Sequence, residues 1–194
     1  MNHLAHCFLS FGDKDWLLGN FIGDYVKGND WQDYPVRVQQ GILLHRTIDS
    51  FTDTHPVVRQ SIARVRPFAG KFAGPVTDIL FDHLLVRAWN QYSPDSLASF
   101  TPKTYRQLEK VRPNMPVMLA ERLPKMINGD FLQGYQHREG LEFVFSRFAK
   151  RLPLPVDYKG LLTHFFEELD AFDRDFQLFF PELLEKSKHF VENP

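Results

Sequence analysis

Apolar residues along this chain recur at intervals of three and four, the period of a helix that buries one face. Asn2 to Leu9 reads as a short first helix, closed by Gly12-Asp13. Asp13 is placed to cap a second helix carrying Leu17, Leu18, Phe21, Ile22, Tyr25 and Val26, with Gly28-Asn29 as its stop. Pro35 suits the first position of a third helix, where its missing N–H costs nothing, and Val38, Ile42, Leu43, Ile48 and Phe51 follow on one stripe. His55-Pro56 breaks the chain again before a helix that reaches about Val65. Gly74-Pro75 opens the next one, with Val76, Ile79, Leu80, Leu84, Leu85 and Trp89 as its stripe and Ser93-Pro94 as its end. Pro102, Pro113, Pro116 and Pro124 predict that residues 95–130 are cut into short helices. Leu141, Phe145 and Phe148 mark a further helix, ended by Leu152-Pro153-Leu154-Pro155. Over residues 157–192 a run of Leu and Phe, from Leu161 to Phe180, keeps helical spacing, and Pro181 is expected to kink or split it. No segment alternates with period two and no Asn-Gly hairpin turn occurs. The pattern predicts an all-α fold, a single-domain helical bundle of about eight to ten helices, over residues 1–194.

Composition narrows this picture. The 194 residues are 43% hydrophobic and 24% charged, enough to bury a core and too apolar for a disordered chain. No stretch approaches the roughly 20 uninterrupted apolar residues of a membrane span, and no basic region precedes an apolar run at the start, so a cytoplasmic location without membrane contact is expected. The single cysteine, Cys7, excludes an internal disulfide and a multi-cysteine zinc site. The net charge of −1 argues against a nucleic-acid partner. Its distribution is uneven: residues 54–112 carry nine basic against four acidic side chains, while residues 1–53 carry four against seven. The basic middle fits either an acidic partner or ordinary solvated helix faces.

Five of the eight histidines (His3, His6, His45, His55 and His83) lie in the first 83 residues, together with Asp24, Asp49, Asp53, Asp78 and Asp82. His45 and Asp49 are four apart, as are Asp78 and Asp82, Asn2 and His6, and Asn20 and Asp24. Side chains at that spacing share a helical face about 5–6 Å apart and can hold one ion. His45 follows Ile42-Leu43-Leu44, and Asp82-His83 sits between Leu80-Phe81 and Leu84-Leu85. A charge in such a setting is costly unless paired or metal-bound. Each residue alone is also explained as a satisfied core histidine or a surface acid; the joint pattern points to a metal. Imidazole and carboxylate without thiolate suit Mn²⁺, Fe²⁺, Mg²⁺ or Zn²⁺. No Gly-rich phosphate loop and no Gly-x-Ser-x-Gly elbow is present.

Taken in order, Met1-Asn-x-Leu-Ala-His6, Gly19-Asn20-Phe21-Ile22-Gly23-Asp24-Tyr25-Val26-Lys27-Gly28, Gly41-Ile-x-x-His45-Arg46-x-Ile-Asp49-x-x-Thr52-Asp53 and Asp78-x-x-x-Asp82-His83, then Trp89 and Ser93-Pro94, resemble the acyl carrier protein phosphodiesterases. The likeness covers roughly the first half of the chain. It implies hydrolysis of holo-acyl carrier protein to the apo form and 4′-phosphopantetheine, a divalent metal, most often Mn²⁺, and distant kinship with the HD-type helical phosphohydrolases. Carried over position by position, the family's motifs fall on Asp24, on His45 to Asp49 and on Asp82-His83; His6, Asp24, His45 and Asp82, with Asp78 behind them, are then the candidate metal ligands, Asp24, His45, Asp49 and His83 the candidate catalytic residues, and Asp49 and His83 either further ligands or groups that orient them. His3 stands where an aromatic residue is expected and is a further candidate. Arg46 is a candidate phosphate contact. Because carrier proteins are acidic, Arg59, Arg64, Arg66 and Lys71 become candidate docking residues. The alternatives are an HD-type hydrolase of a nucleotide or other small phosphoester, and a non-catalytic helical module that binds acidic proteins.

Overall fold

Asn2 starts the first helix, α1 (His3–Phe8), by accepting the His3 amide on its side-chain oxygen at 2.8 Å. Asp13 does the same for α2 (Lys14–Ile22), taking the amides of Asp15 and Trp16. The computed structural model describes residues 1–150 and 157–194, and the Leu152–Pro155 stretch lies outside them. Beyond Ile22 the backbone tightens into a 3₁₀ turn, Gly23–Tyr25, so α2 stops before Gly28 and Asp24 sits on the turn. The next helix, α3 (Val36–Thr54), has Pro35 as its cap and not as its first residue. The Pro35 backbone is extended, and its carbonyl receives the amides of Val38 and Gln39. Pro56 does take the first position of α4 (Pro56–Ala69).

A 3₁₀ turn at Gly70–Phe72 leads into α5 (Ala73–Arg87), followed by the short α6 (Trp89–Tyr92). Pro102 and Pro124 lie inside α7 (Leu97–Val111) and α8 (Val117–Asn128) without ending them; Pro113 and Pro116 fall between the two. After α9 (Arg138–Ala149) come α10 (Tyr158–Glu167) and α11 (Leu169–Glu192). Their boundary is Glu168, and α11 runs through Pro181. Burial explains why. Phe172, Phe176, Phe179, Phe180 and Leu183 flank Pro181 and are all 0% exposed. At roughly 1.5–3 kcal/mol each, they outweigh the ~3 kcal/mol that an interior proline costs. Among the described residues there is no strand, and no helix is long and apolar enough to cross a membrane.

The phenylalanine face of α11 packs on α3, α4 and α5, with Phe81 of α5 lying 5.7 Å from both Phe176 and Phe179. On the other side α2 lies along α3 at very short range. A Cβ on Gly19 would fall 2.2 Å from the Val38 carbonyl oxygen, and one on Gly41 would fall 2.5 Å from that of Trp16. The glycine pair lets the two backbones touch, which brings the end of α2 and its 3₁₀ turn over the middle of α3. The short α1 bridges α2 and α5.

Candidate metal centre

Three elements meet at one point. The last turn of α1 presents His6, the middle of α3 presents His45 and, one turn later, Asp49, and the 3₁₀ turn after α2 presents Asp24. Asp49 divides its oxygens between the two rings: Oδ1 lies 3.1 Å from His6 Nε2 and Oδ2 lies 3.0 Å from His45 Nε2. The rings stack with centroids 4.2 Å apart. Asp24 Oδ1 lies 3.4 Å from His45 Nε2, on the solvent side, with its side chain 72% exposed. The histidines are buried to 5% and 6% exposure.

The opposite edge of each ring is already committed. His6 Nδ1 meets Asn20 Oδ1 at 2.7 Å, and His45 Nδ1 meets the Asn20 carbonyl oxygen at 2.8 Å. Both partners are acceptors, since the Asn20 amide nitrogen donates to the His6 carbonyl and to Ser10. Each Nδ1 therefore carries a hydrogen, and each neutral ring keeps its lone pair on Nε2, aimed at a carboxylate. Lone pairs facing carboxylate oxygens need a proton or a cation between them. Two atoms bound about 2.1 Å from one octahedral ion lie about 3 Å apart, which matches the 3.0 and 3.1 Å contacts here. Ligand atoms of His6, His45 and Asp49 all fall within 4.8 Å of one another. The residues fit a hard or borderline divalent cation with imidazole and carboxylate ligands.

Without the cation, protons take its place. Burial works against the charged form of His45, but hydrogen bonds to Asp24 and Asp49 prevail and raise its pKa to about 9. Burial and then the neighbouring His45 charge lower that of His6, against its hydrogen bond to Asp49. Burial opposes the Asp49 carboxylate too, yet the two histidines hold its pKa well below the usual carboxylate range; Asp24 is lowered chiefly by its hydrogen bond to His45. A raised folded pKa gives stability that is complete below the unfolded value of 6.5 and lost as pH rises through about 9. Metal-free protein is thus expected to lose on the order of 2 kcal/mol between those limits. Its affinity for Mn²⁺ should rise over the same interval, because the ion displaces the His45 proton. Melting curves and Mn²⁺ titrations at a series of pH values check both slopes. Parallel slopes, or none, would contradict the assignment.

Residues 1–183 match the family model described as acyl carrier protein phosphodiesterase. The chain belongs to that family. It is 31% identical over 194 residues to a protein of Enterobacter sp. (strain 638) named acyl carrier protein phosphodiesterase, covering 97% of this chain and 98% of that one. Proteins of the same name from Klebsiella pneumoniae (strain ATCC 700721 / MGH 78578) and Salmonella agona (strain SL483) are 30% and 31% identical over 189 residues, 95% of this chain and 96% of theirs. No solved structure matches the chain.

Within this phosphodiesterase fold the other candidates lie apart from the point where His6, His45, Asp49 and Asp24 meet. Asp82 is 0% exposed and holds the start of α1, accepting the amides of Leu4 at 2.8 Å and of Asn2 and Ala5 at 3.3 Å. Burial raises its pKa to about 7 against those amides and the Met1 amino group. Asp78 accepts the Met1 amino group at 2.9 Å, and Asp49 lies 3.9 Å from the same nitrogen. Asp53 is exposed beyond them. His83 turns the other way: its Nδ1 meets the Tyr135 carbonyl at 2.6 Å, and its ring lies against Phe165 and Phe166. His3 packs between Phe21 and Phe131. Arg46 donates to the Val26 and Gly28 carbonyls and so braces the segment after Asp24. Arg59 donates to the Asp53 carbonyl, and Arg64 turns inward to Asp175, while Arg66 and Lys71 are exposed. The sequence pairs Asn20 with Asp24 but not with the histidines, and it gives Gly23 no role of its own. Asn20 touches both rings, and Gly23 lies so close to His45 that a Cβ there would fall 2.2 Å from the ring. Their trace in the sequence was the Gly19-Asn20 and Gly23-Asp24 spacing around Asp24.

Proposed function

We propose that this protein hydrolyses holo-acyl carrier protein, releasing 4′-phosphopantetheine and leaving the carrier serine free. The observation that carries the reading is the convergence of His6, His45 and Asp49, with Asp24 on the open side, in a chain of this family. His6, His45 and Asp49 would hold a divalent ion, with Mn²⁺ the first choice and Mg²⁺, Fe²⁺ or Zn²⁺ compatible with the same donors. Asp24 completes the set from the solvent side. The bound ion supplies an acidified water and positive charge for the phosphate oxygens. Asp49 keeps both Nε2 atoms turned to the same point, and the exposed Asp24 faces the incoming diester. In the overall reaction water oxygen joins phosphorus, the bond from phosphorus to the serine oxygen breaks, and a water proton ends on the serine. Asp82 and Asp78 support this centre from beneath by fixing α1. The reading puts the enzyme in the cytoplasm, in keeping with a single, buried cysteine. Enzyme stripped with a chelator should leave holo-carrier unchanged, and added Mn²⁺ should restore turnover. Full activity in the stripped enzyme would sink the metal reading.

The basic face that meets the carrier begins beside this centre. Residues 54–77 contain no Asp or Glu, and α4 leaves directly from the Asp53 end of α3. Arg59 and Arg66 stand two turns apart on the exposed side of α4, and Lys71 follows. Arg64, committed to Asp175, belongs to the packing of α4 on α11. Charge reversal at Arg59 and Arg66 together should raise KM for the carrier about tenfold with little change in kcat, and added salt should shrink the difference. An unchanged KM at low salt would move the docking face elsewhere.

A further inference from the structure

We infer that Asn20 is the positioning residue that sets both imidazoles for metal binding, a role that rests on the metal reading above. One residue serves two rings through two different groups. Its side-chain oxygen meets His6 Nδ1 at 2.7 Å, and its main-chain oxygen meets His45 Nδ1 at 2.8 Å. Its amide nitrogen is spent on the His6 carbonyl at 2.8 Å and Ser10 Oγ at 3.2 Å, so the side-chain oxygen is the edge offered to the ring. Ser10 in turn donates to the His6 carbonyl at 2.8 Å. Asn20 is 1% exposed, and no solvent competes for these bonds. An acceptor at Nδ1 places the hydrogen there and leaves Nε2 as the ligand atom; the same contact fixes the ring's rotation. Asn20 thus ties α1 to α2 at the point where α1 delivers His6, and it ties α2 to α3 where α3 delivers His45. The two rings stack because both are referred to one residue.

The two contacts separate on substitution. Asn20→Ala removes the acceptor for His6 but keeps the main-chain carbonyl for His45, so His45 is an internal control. Asn20→Asp keeps an acceptor at His6 Nδ1 while losing the donor to the His6 carbonyl and Ser10. Two readouts are needed. Imidazole ¹⁵N–¹H correlation spectra of the metal-free protein report which nitrogen of His6 carries the hydrogen. Titration with Mn²⁺ alone, followed by the paramagnetic resonance of the free ion, reports affinity. In Asn20→Ala the His6 hydrogen is expected to leave Nδ1, His45 to be unchanged, and Mn²⁺ affinity to fall 10–100-fold. Asn20→Asp is expected to keep the Nδ1 hydrogen and to recover most of the affinity. If Asn20→Ala keeps the Nδ1 hydrogen on His6, or binds Mn²⁺ as the wild type does, the assignment is overturned. Should Asn20→Ala fail to fold, the isosteric Asn20→Asp decides: a His6 hydrogen off Nδ1 in that variant also overturns it. The hydrogen is located without metal, so a wild type that binds no Mn²⁺ would refute the metal reading and leave the assignment of Asn20 to be decided by the spectra.

Discussion

Asp49→Ala is expected to abolish Mn²⁺ binding and to lower turnover of holo-carrier protein by at least about a hundredfold, beyond the 10–100-fold typical of a residue one step removed from a metal. Asp49 is the one carboxylate, among the described residues, that touches both proposed histidine ligands, at 3.1 and 3.0 Å through separate oxygens. Without it, His45 keeps only the exposed Asp24 as a charged partner, and two rings stacked at 4.2 Å lose the anion between them. The cost to the fold is smaller. Removing one member of a fully buried pair costs 3–5 kcal/mol, but Asp49 is 37% exposed, so about 1–2 kcal/mol is expected in the metal-free protein. The two effects are separable: a helical, cooperatively melting variant with no metal and no turnover is the expected result. Turnover within a few fold of wild type would show that the reacting centre lies elsewhere.

Gly23→Ala should be nearly as damaging, by a different route. Gly23 has φ −50° and ψ −41°, which alanine adopts freely, so no backbone strain is involved. The added methyl would fall 2.2 Å from His45 Cγ and 2.4 Å from Cδ2, and the ring must move. Its Nε2 then leaves Asp49 and Asp24. Overpacking of this kind costs about 1–3 kcal/mol of stability, and loss of one histidine ligand should lower Mn²⁺ affinity and turnover about a hundredfold. Gly74→Ala is the matched control. No atom lies within 4 Å of the added methyl, and Gly74 lies within α5, so that variant should be fully active and slightly more stable. Equal activity in both alanine variants would mean that His45 does not need its present position.

The sequence pattern located the helices because their apolar stripes are long, and most of the stripe from Leu161 to Phe180 is buried in the core. The expected breaks at Pro102 and Pro124 do not occur, and Pro181 does not split α11, whose buried neighbours such as Phe179 and Phe180 outweigh the local cost of the proline. For the centre, His45 and Asp49 were legible as a pair one turn apart on a single helix. Which of the remaining acids join them was not, because that depends on how α1 docks. Asp82 and Asp24 look alike in sequence. The first is swallowed by the amides of α1, and the second is left open on a 3₁₀ turn. Asn20 is legible only as a partner of Asp24 four residues on; its hold on the two histidines arises from contacts that only the packing of α1 and α3 on α2 creates.

The central claim is that water attacks the phosphorus joining the prosthetic group to its carrier, at this centre. Incubating the purified protein with holo-carrier and Mn²⁺ in ¹⁸O-labelled water, and weighing both products by mass spectrometry, tests it most directly. The expected result is a carrier lighter by the whole phosphopantetheine group, with an unlabelled serine, and a released 4′-phosphopantetheine carrying one ¹⁸O. A carrier of unchanged mass across the four candidate metals, or a label found on the carrier serine, would contradict the account.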